Sequence, residues 1–340
     1  MQFLQRKKWF CRGVLALSAA ALSFGAGLSH GAQNLRLSTL GPGSAPYVVM
    51  TTFANIVNEH VPDYRIQVNA TGAATRHAVE TAQGRSEFCL NTPHQYDMMV
   101  KGGGPYANVP KSGELSKNLR SVFSFPIGVY HILTFGDSGI HSLDQIRGKR
   151  VYLGPPGSVA FDTTQRIVAL MTGLKADQDY TAIKLGWDAA AQSFQDGHID
   201  VYFNPTLAPS PVVAQLALVR KLRWIGIDPA RLSELLARPG YRAVRIEPAV
   251  YGDGLANEAP VTALRMTASM GTNNALSEEA VYAMTSAFWK HLDTYAASTP
   301  VLRNVRLEEA LADANTPLHP GAARFYREQG MTIPAALLAQ

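Results

Sequence analysis

The sequence predicts an α/β protein built from two lobes of a common plan, with a ligand cleft between them. The main observation is an internal repeat, because Gly41-Pro42-Gly43-Ser44 and Gly154-Pro155-Pro156-Gly157-Ser158 each follow a short apolar run. A second glycine follows each turn 43 residues later, at Gly84 and Gly197, and precedes a short apolar run that ends at an asparagine. A repeat of this length is domain-sized, and it indicates two similar lobes rather than a solenoid. Alternating strands and helices predict a mainly parallel sheet flanked by helices in each lobe.

The first lobe is predicted from apolar periodicity and from the turn residues that interrupt it. The helix over 45–59 is broken by Pro62, the helix over 75–83 ends at Gly84, and the helix over 93–100 ends at three glycines. Strands are predicted at 35–40, 65–69 and 87–91. Two consecutive apolar runs, 119–127 and 129–135, predict an extended segment that carries the chain into the second lobe.

The second lobe repeats the pattern and then adds elements. Strands are predicted at 149–153, 181–185 and 198–203, with helices at 158–172, 189–195 and 212–218. Two more strands, 221–227 and 241–246, flank a helix at 229–237, and 260–270 reads as a return strand. Helices from Ser277 to Tyr295, over 305–314 and over 319–329 are expected to pack back on the first lobe. The predicted boundaries are 33–129 plus 262–340 for the first lobe, and 130–261 for the second.

The N-terminus predicts export. Four basic residues at positions 6 to 12 precede an apolar stretch rich in Gly, Ala and Ser, which is typical of a signal peptide rather than a membrane anchor. We expect residues 1–32 to be removed, with cleavage between Gly27 and Gln33. Loss of four basic residues and no acidic ones lowers the formal charge from +5 to +1. The mature chain therefore gives no sign of nucleic-acid binding, which requires clustered Lys and Arg.

Cysteine and histidine patterns give no sign of a catalytic or metal centre. The mature chain keeps one cysteine, Cys89, which cannot form an internal disulfide and is expected to be a buried thiol. No G-x-S-x-G elbow, P-loop lysine or zinc-ligand spacing is present. His77, His94 and His131 could still converge in space. The sequence predicts a binding protein without cofactor or metal, and not an enzyme.

Three turns that open helices are the candidate binding elements, because ligands of open α/β sheets bind at the carboxyl ends of strands. The unpaired N–H groups at such helix ends attract carboxylates. The alternative is that each turn only starts a well-capped helix. The third turn is Thr71-Gly72-Ala73-Ala74, and Arg76 in the helix that follows either pairs with a ligand carboxylate or is solvated. Further candidates at strand ends, which could equally be turn formers, are Asn91, His94 and Asn204.

The chain resembles the TAXI group of solute receptors, which serve tripartite ATP-independent periplasmic (TRAP) transporters. The resemblance lies in the segments 43–47, 151–158, 187–191 and 196–200 and in the tail 319–330, and it covers nearly the whole mature chain. It implies a periplasmic-binding-protein-like fold, with two lobes that close on a small amino acid or dicarboxylate. It also implies delivery to an integral-membrane TRAP permease driven by an ion gradient. The ligand-binding positions that the resemblance implies are Gly43, Ser44, Tyr47, Thr71 to Ala74, and Pro156 to Ser158.

The sequence departs from the group's pattern at Ala73-Ala74 and His77, and again at Asn91-Thr92-Pro93-His94. These positions lack hydroxyl, amide and acid groups that the group usually carries there. An organic acid is therefore as good a candidate ligand as an amino acid. We expect a periplasmic monomer that binds a small carboxylate. The alternatives are an exported protein that supplies a sensor, and an enzyme on the same scaffold.

Overall fold

In the part of the chain that the structure describes, two long strands run through the middle and join the two lobes into one sheet of ten strands. The computed structural model describes residues 31–42 and 44–338. The strands are β1 (Gln33–Ser38), β2 (Tyr64–Asn69), β3 (Phe88–Asn91), β4 (Leu119–Phe135), β5 (Arg150–Tyr152), β6 (Thr181–Ile183), β7 (Val201–Thr206), β8 (Leu222–Trp224), β9 (Tyr241–Ile246) and β10 (Val261–Asn273). Their order is β2-β1-β3-β10-β4-β7-β5-β6, with β8 paired to β4 and β9 to β10.

Helices cover both faces of this sheet. They are α1 (Ala45–His60), α2 (Ala74–Ala82), α3 (Pro93–Lys101), α4 (Ser112–Ser116), α5 (Val159–Thr172), α6 (Trp187–Gln195), α7 (Pro211–Val219), α8 (Ser233–Leu236), α9 (Glu278–Ser298) and α10 (Pro320–Glu328). The predicted two-lobed α/β fold class is confirmed. In the described part of the chain, no helix has the length and apolar content needed to cross a membrane.

The described residues form four hydrophobic clusters, two in each lobe. In the first lobe, one cluster joins α1, α9 and α10 to the sheet, and the other joins α2 and α3 to it. In the second lobe, α5 and α8 pack in one cluster, and α6 and α7 pack in the other. Along β4, the side chains pass from a cluster of the first lobe to one of the second between Phe125 and Val129. Along β10, the same change lies between Leu264 and Ala268. The exact lobe boundaries given above stay a prediction.

The crossing from one lobe to the other is irregular. β4 and β10 pair in antiparallel fashion, but their register shifts between Met266 and Thr267, so that Ile127 is left over as a bulge. Gly128 comes next, with φ of 150°, and a Cβ there would lie 2.7 Å from the carbonyl carbon and oxygen of Thr206. Only glycine therefore fits at this crossing without displacing the backbone.

The predicted helix over 305–314 is wrong, since the chain there contains only a 3₁₀ turn, Leu307–Glu309. Ion pairs hold this segment in its irregular course, with Arg265 bonding Glu309 at 3.1 Å and Arg242 bonding Asp313 at 2.8 Å. Asp313 itself has a positive φ of 57°. Tertiary contacts thus override a helical periodicity. The two apolar runs predicted around Gly128 form one continuous strand, β4. The predicted signal peptide lies almost entirely outside the described residues.

Two buried histidines predict a loss of stability in acid. Burial lowers the pKa of both His131 and His319 to about 4. His131 bonds the Val129 carbonyl and the Tyr251 hydroxyl, while Nδ1 of His319 accepts the Gly321 N–H at 3.2 Å as the cap of α10. The unfolded chain binds protons more readily than the folded one between pH 6.5 and 4, so stability is full above pH 6.5 and falls below it. Each histidine accounts for roughly 3 kcal/mol of this loss once the pH falls to 4.

The variant His319→Asn tests this assignment, because Asn caps a helix well and does not titrate. Urea unfolding measured at steps from pH 7 to pH 4.5 should show a shallower decline for the variant than for the wild type. Equal declines would contradict the role of His319.

Candidate ligand-binding cleft

The carboxyl ends of the strands in the two lobes point toward each other. β3 runs antiparallel to β10, which runs antiparallel to β4, so β1, β2 and β3 run in the same direction as β4. β7 runs antiparallel to β4, and β5 and β6 run parallel to β7. The strands of the second lobe therefore run against those of the first, and the strand ends meet at the crossing. Such ends are where α/β sheets bind ligands.

The strand register gives the width of the gap between the strand ends of the two lobes. The last residue of β3, Asn91, lies level with Ser124 of β4, through Ser269 of β10. The last residue of β7, Thr206, lies level with Val129 of β4. Five residues of strand separate these levels, which is at most about 17 Å. A gap of this width accommodates a small solute between the loops that follow the strands. We call it the cleft.

The helices α1 and α5 lie on the same face of the central strands. Ala268 and Met270 of β10 belong to the cluster that contains α1, and Leu264 belongs to the cluster that contains α5. Side chains two positions apart on a strand share one face, and these three residues all have even numbers on a regular stretch of β10. Since α1 follows β1 and α5 follows β5, both helices begin at the cleft, on one side of the sheet.

The two serine turns have the same local geometry. Ser44 and Ser158 are the N-caps of α1 and α5, with φ and ψ of −88° and 150° for Ser44 and −89° and 153° for Ser158. The Ser44 hydroxyl donates to the Gly41 carbonyl at 2.9 Å and accepts the Tyr47 N–H at 3.2 Å. The Ser158 hydroxyl donates to the Pro155 carbonyl at 2.7 Å and accepts the Phe161 N–H at 3.1 Å. Both hydroxyls are thus occupied in capping.

The helix starts, rather than the serine hydroxyls, therefore offer the free donors. Among the described residues, the N–H groups of Val159 and Ala160 at the start of α5 have no acceptor. At α1 only Ala45 is in this position, because Pro46 has no N–H group. A helix start attracts an anion with about 0.3–1 kcal/mol when exposed and up to ~2 kcal/mol when partly buried. Among the described residues, the start of α5 therefore offers two free N–H donors and the start of α1 offers one.

Because the two serine caps have the same geometry, removal of either hydroxyl should lower the free energy of unfolding by a similar amount. Ser44→Ala and Ser158→Ala should each lower the free energy of unfolding by about 1 kcal/mol, the usual cost of losing a serine N-cap. Urea denaturation of the two variants, compared with Ser277→Ala at the start of α9, measures this. A change below the error of the measurement at either turn would show that its hydroxyl is not needed as a cap.

The third predicted turn reaches the cleft from the other face. α2 packs in the cluster opposite to that of α1, and its N-cap, Ala73, provides no side-chain hydrogen bond. The Thr71 hydroxyl bonds Asn69, and the Thr71 carbonyl bonds the buried His77 ring at 2.7 Å. Gly72 and Ala73 are exposed, and Ala74 is half-buried. These contacts hold the turn at the strand ends without assigning it a ligand.

Arg76 is paired within its own helix. Its Nε lies 2.8 Å from Oε1 of Glu80, and its side chain is 76% exposed. Such a surface pair contributes little to stability and can exchange for another anion. The pair with Glu80 is compatible with both interpretations given by the sequence, and a bond from Arg76 to a ligand carboxylate stays a prediction. Gly43 lies outside the described residues, while Tyr47 is half-buried in the first turn of α1 and Pro156 and Gly157 are exposed.

The asparagines at the strand ends have different surroundings. Asn91 is buried, and its amide donates to the Thr316 hydroxyl at 2.8 Å, which leaves Oδ1 without a partner among the described residues. Asn204 is half-buried and bonds the Tyr202 hydroxyl at 3.3 Å. Thr39, one residue beyond β1, is also buried with an unpartnered hydroxyl. Sequence reasoning missed Thr39, although a polar residue that ends an apolar run is a usable signal, and it missed Thr316, for which no local signal exists.

His77, His94 and His131 occupy three separate places. His77 lies under the α2 turn, His131 stacks on Trp224 in the second lobe, and His94 lines a cavity beside α5. Among the described residues no group of three or more His, Cys, Asp and Glu side chains is arranged to hold a metal. Burial raises the pKa of the Cys89 thiol to about 12, so this residue is a poor nucleophile.

A sequence-family model described as the NMT1-like family matches residues 37–330. Among solved structures, the chain is similar to the periplasmic aliphatic sulphonate binding protein SsuA from Escherichia coli, with 14% identity, a TM-score of 0.49, and coverage of 87% of this chain and 83% of that one. It is also similar to a TRAP periplasmic solute binding protein from Escherichia fergusonii, with 13% identity, a TM-score of 0.48, and coverage of 89% and 90%. A third is a TRAP periplasmic solute binding protein from Sulfitobacter sp. NAS-14.1, with 11% identity, a TM-score of 0.43, and coverage of 88% of each chain.

Proposed function

The chain belongs to the NMT1-like family, and from this membership and the geometry of the cleft we propose that it is an exported receptor for a small organic anion. The observation that carries the proposal is the pair of serine-capped helices, α1 and α5, that begin on one face of the sheet at opposed strand ends. Two helix starts of positive polarity on either side of one gap suit a negatively charged solute.

The proposed solute is an organic acid or an amino acid that presents a carboxylate to the start of α5. The N–H groups of Val159 and Ala160 would bind its oxygen atoms, and Ala45 of α1 would bind from the other side. Backbone N–H groups recognise the charge and the oxygens rather than the central atom, so a sulfonate is the matched alternative. The remaining proposed contacts are Gly43, Ser44, Tyr47, Thr71, Gly72, Ala73, Ala74, Arg76, Asn91, His94, Pro156, Gly157, Ser158 and Asn204.

Transport follows from closure of the lobes on the solute. The bulged crossing at Ile127 is the place where the lobes would bend relative to each other. A membrane partner can distinguish loaded from empty receptor only if the solute binds the closed form better. We propose a periplasmic monomer that delivers its solute to a TRAP permease, in keeping with the TAXI-like segments at 151–158 and 319–330. A sensor in place of the permease is the alternative partner.

Calorimetric titration of the mature protein, residues 33–340, tests the proposal after unfolding and refolding to remove any bound solute. The titrants are carboxylates, amino acids and sulfonates of matched carbon skeleton, with the uncharged amides of the same acids as controls. We expect saturable binding of at least one anion and none of its amide. Equal binding of an acid and its amide, or no binding across the series, would contradict an anion receptor.

A further inference from the structure

A second cavity lies where the two lobes touch, and it has its own chemistry. It encloses about 560 Å³. Most of its wall comes from the side of α5, from the loop after α5 and from α8, and His94 of the first lobe completes it. We call it the seam pocket, and its lining includes His94, Thr163, Arg166, Lys175, Arg238 and Tyr241.

The seam pocket is distinct from the cleft. On α5 its wall begins at Asp162, four residues beyond Ser158, and extends past Arg166, eight residues beyond it, which is about 6 to 12 Å farther along the helix axis. Of the residues proposed for the cleft, His94 is the only one that also lines this cavity. The lobes meet at its rim, because Pro93 lies close enough to Gly240 that a Cβ there would be 3.0 Å from its Cγ. An occupant would touch both lobes.

The wall carries more positive charge than its carboxylates neutralise. Arg166 and Arg238 share one carboxylate, that of Glu234. The Nε of Arg166 is buried without an acceptor, and the ammonium group of Lys175 forms no ion pair among the described residues. Among the described lining residues, Asp162 is the one that is acidic. Each guanidinium contacts Glu234 through its Nη2 alone, so its remaining N–H groups can bind an additional oxyanion.

Hydroxyl groups and apolar side chains form the rest of the wall. The hydroxyls of Thr163 and Tyr241 lie 3.5 Å apart, and burial raises the pKa of the Tyr241 phenol, which therefore stays a donor at neutral pH. Ala169, Leu174 and Leu235 add apolar surface to the same wall. A wall that combines donors with aliphatic carbon suits a ligand with a charged head and a compact apolar body.

We propose that the seam pocket binds a small organic oxyanion at a site separate from that of the transported solute. The ligand class is a phosphate monoester or a carboxylate that carries a compact apolar body. Its head lies between Arg166, Arg238 and the Tyr241 hydroxyl, and its body lies on Leu174 and Leu235. Because His94 belongs to the first lobe and Arg238 to the second, a ligand bound in the seam pocket would connect the two lobes. The proposal does not depend on which solute the cleft takes.

Phenyl phosphate is the probe, with inorganic phosphate as the head group alone, in calorimetric titrations at constant ionic strength. We expect phenyl phosphate to bind more tightly than phosphate. Arg238→Gln should raise its Kd roughly tenfold or more, the loss of one charge-assisted hydrogen bond. Tyr241→Phe, which keeps the ring, should raise it by a smaller factor. Arg147→Gln, a surface arginine of the same lobe paired with Asp179, is the control and should bind as the wild type does.

The outcomes separate this proposal from the one for the cleft. Phenyl phosphate should bind Gly157→Val with unchanged affinity, because that residue lies at the cleft and not in the seam pocket. Loss of binding in Gly157→Val would place the anion in the cleft and overturn the proposal. So would equal Kd values for the wild type, Arg238→Gln and Tyr241→Phe, or no saturation at millimolar probe. Circular dichroism melting confirms that each variant is folded.

Discussion

Gly157→Val should weaken solute binding in the cleft by about 100-fold or more, the equivalent of losing two charge-assisted hydrogen bonds. Gly157 has a φ of 73°, a conformation that valine strongly disfavours because its branched side chain meets the backbone. No atom lies within 4 Å of the position of a Cβ there, so the effect is one of conformation and not of crowding. The turn has to rearrange, and the N–H groups of Val159 and Ala160 then lose their common direction.

The measurement is a calorimetric Kd for the anion identified with the wild type, together with a thermal melt of each variant. Gly157→Asn is the matched control, because asparagine tolerates a positive φ, and it should keep most of the affinity. Ser158→Pro should also block binding, since it removes the cap and the N–H bond to the Pro155 carbonyl. Melting should stay cooperative in all three. Normal affinity in both Gly157→Val and Ser158→Pro would show that the α5 start is not the binding element.

Gly128→Ala should lower the free energy of unfolding by about 3 kcal/mol, through overpacking together with backbone strain. The added methyl group would lie 2.7 Å from the carbonyl carbon and oxygen of Thr206, and both are backbone atoms that belong to the sheet. The crossing cannot yield easily, because β4 pairs with β7 on one side and with β10 on the other at this level.

Gly139→Ala is the control for this prediction. Gly139 also has a positive φ, of 75°, but no atom lies within 4 Å of its Cβ position. It should lose only about 1 kcal/mol, the conformational part of the cost. Urea denaturation of the two variants gives the difference directly. Equal losses would mean that the strands at the crossing move apart without cost, which would also remove the reason for a glycine there.

Local patterns predicted those parts of the fold that local chemistry decides. The helix α1 begins at Ala45 and α3 at Pro93, where the sequence predicted them, and each has a proline in its first turn. The repeat of the two serine turns in sequence is matched by their equal capping geometry. The prediction of a helix over 305–314 was wrong because the apolar spacing there suits a helix, whereas the charged side chains bond to β9 and β10. Contacts between residues distant in sequence thus decide between a helix and the irregular course.

The cleft could be predicted only in part for the same reason. Glycine turns, caps and strand ends can be read in the sequence, so the positions around Ser44 and Ser158 were found. That α2 packs on the opposite face from α1 depends on which cluster covers each side of the sheet. The bond between Asn91 and Thr316 joins residues 225 positions apart. No local periodicity contains that information. Whether these residues bind a solute stays a prediction.

The course of the chain through the two lobes has a consequence for biogenesis. The second lobe draws its core from one continuous stretch, whereas the first lobe needs both the early strands and the closing segment that contains β10, α9 and α10. As the polypeptide emerges from a ribosome or a translocation channel, the middle of the chain can collapse on its own contacts first. The earlier part has to wait for the last seventy or so residues, roughly a fifth of the sequence, and is exposed to proteases and holdase chaperones until then.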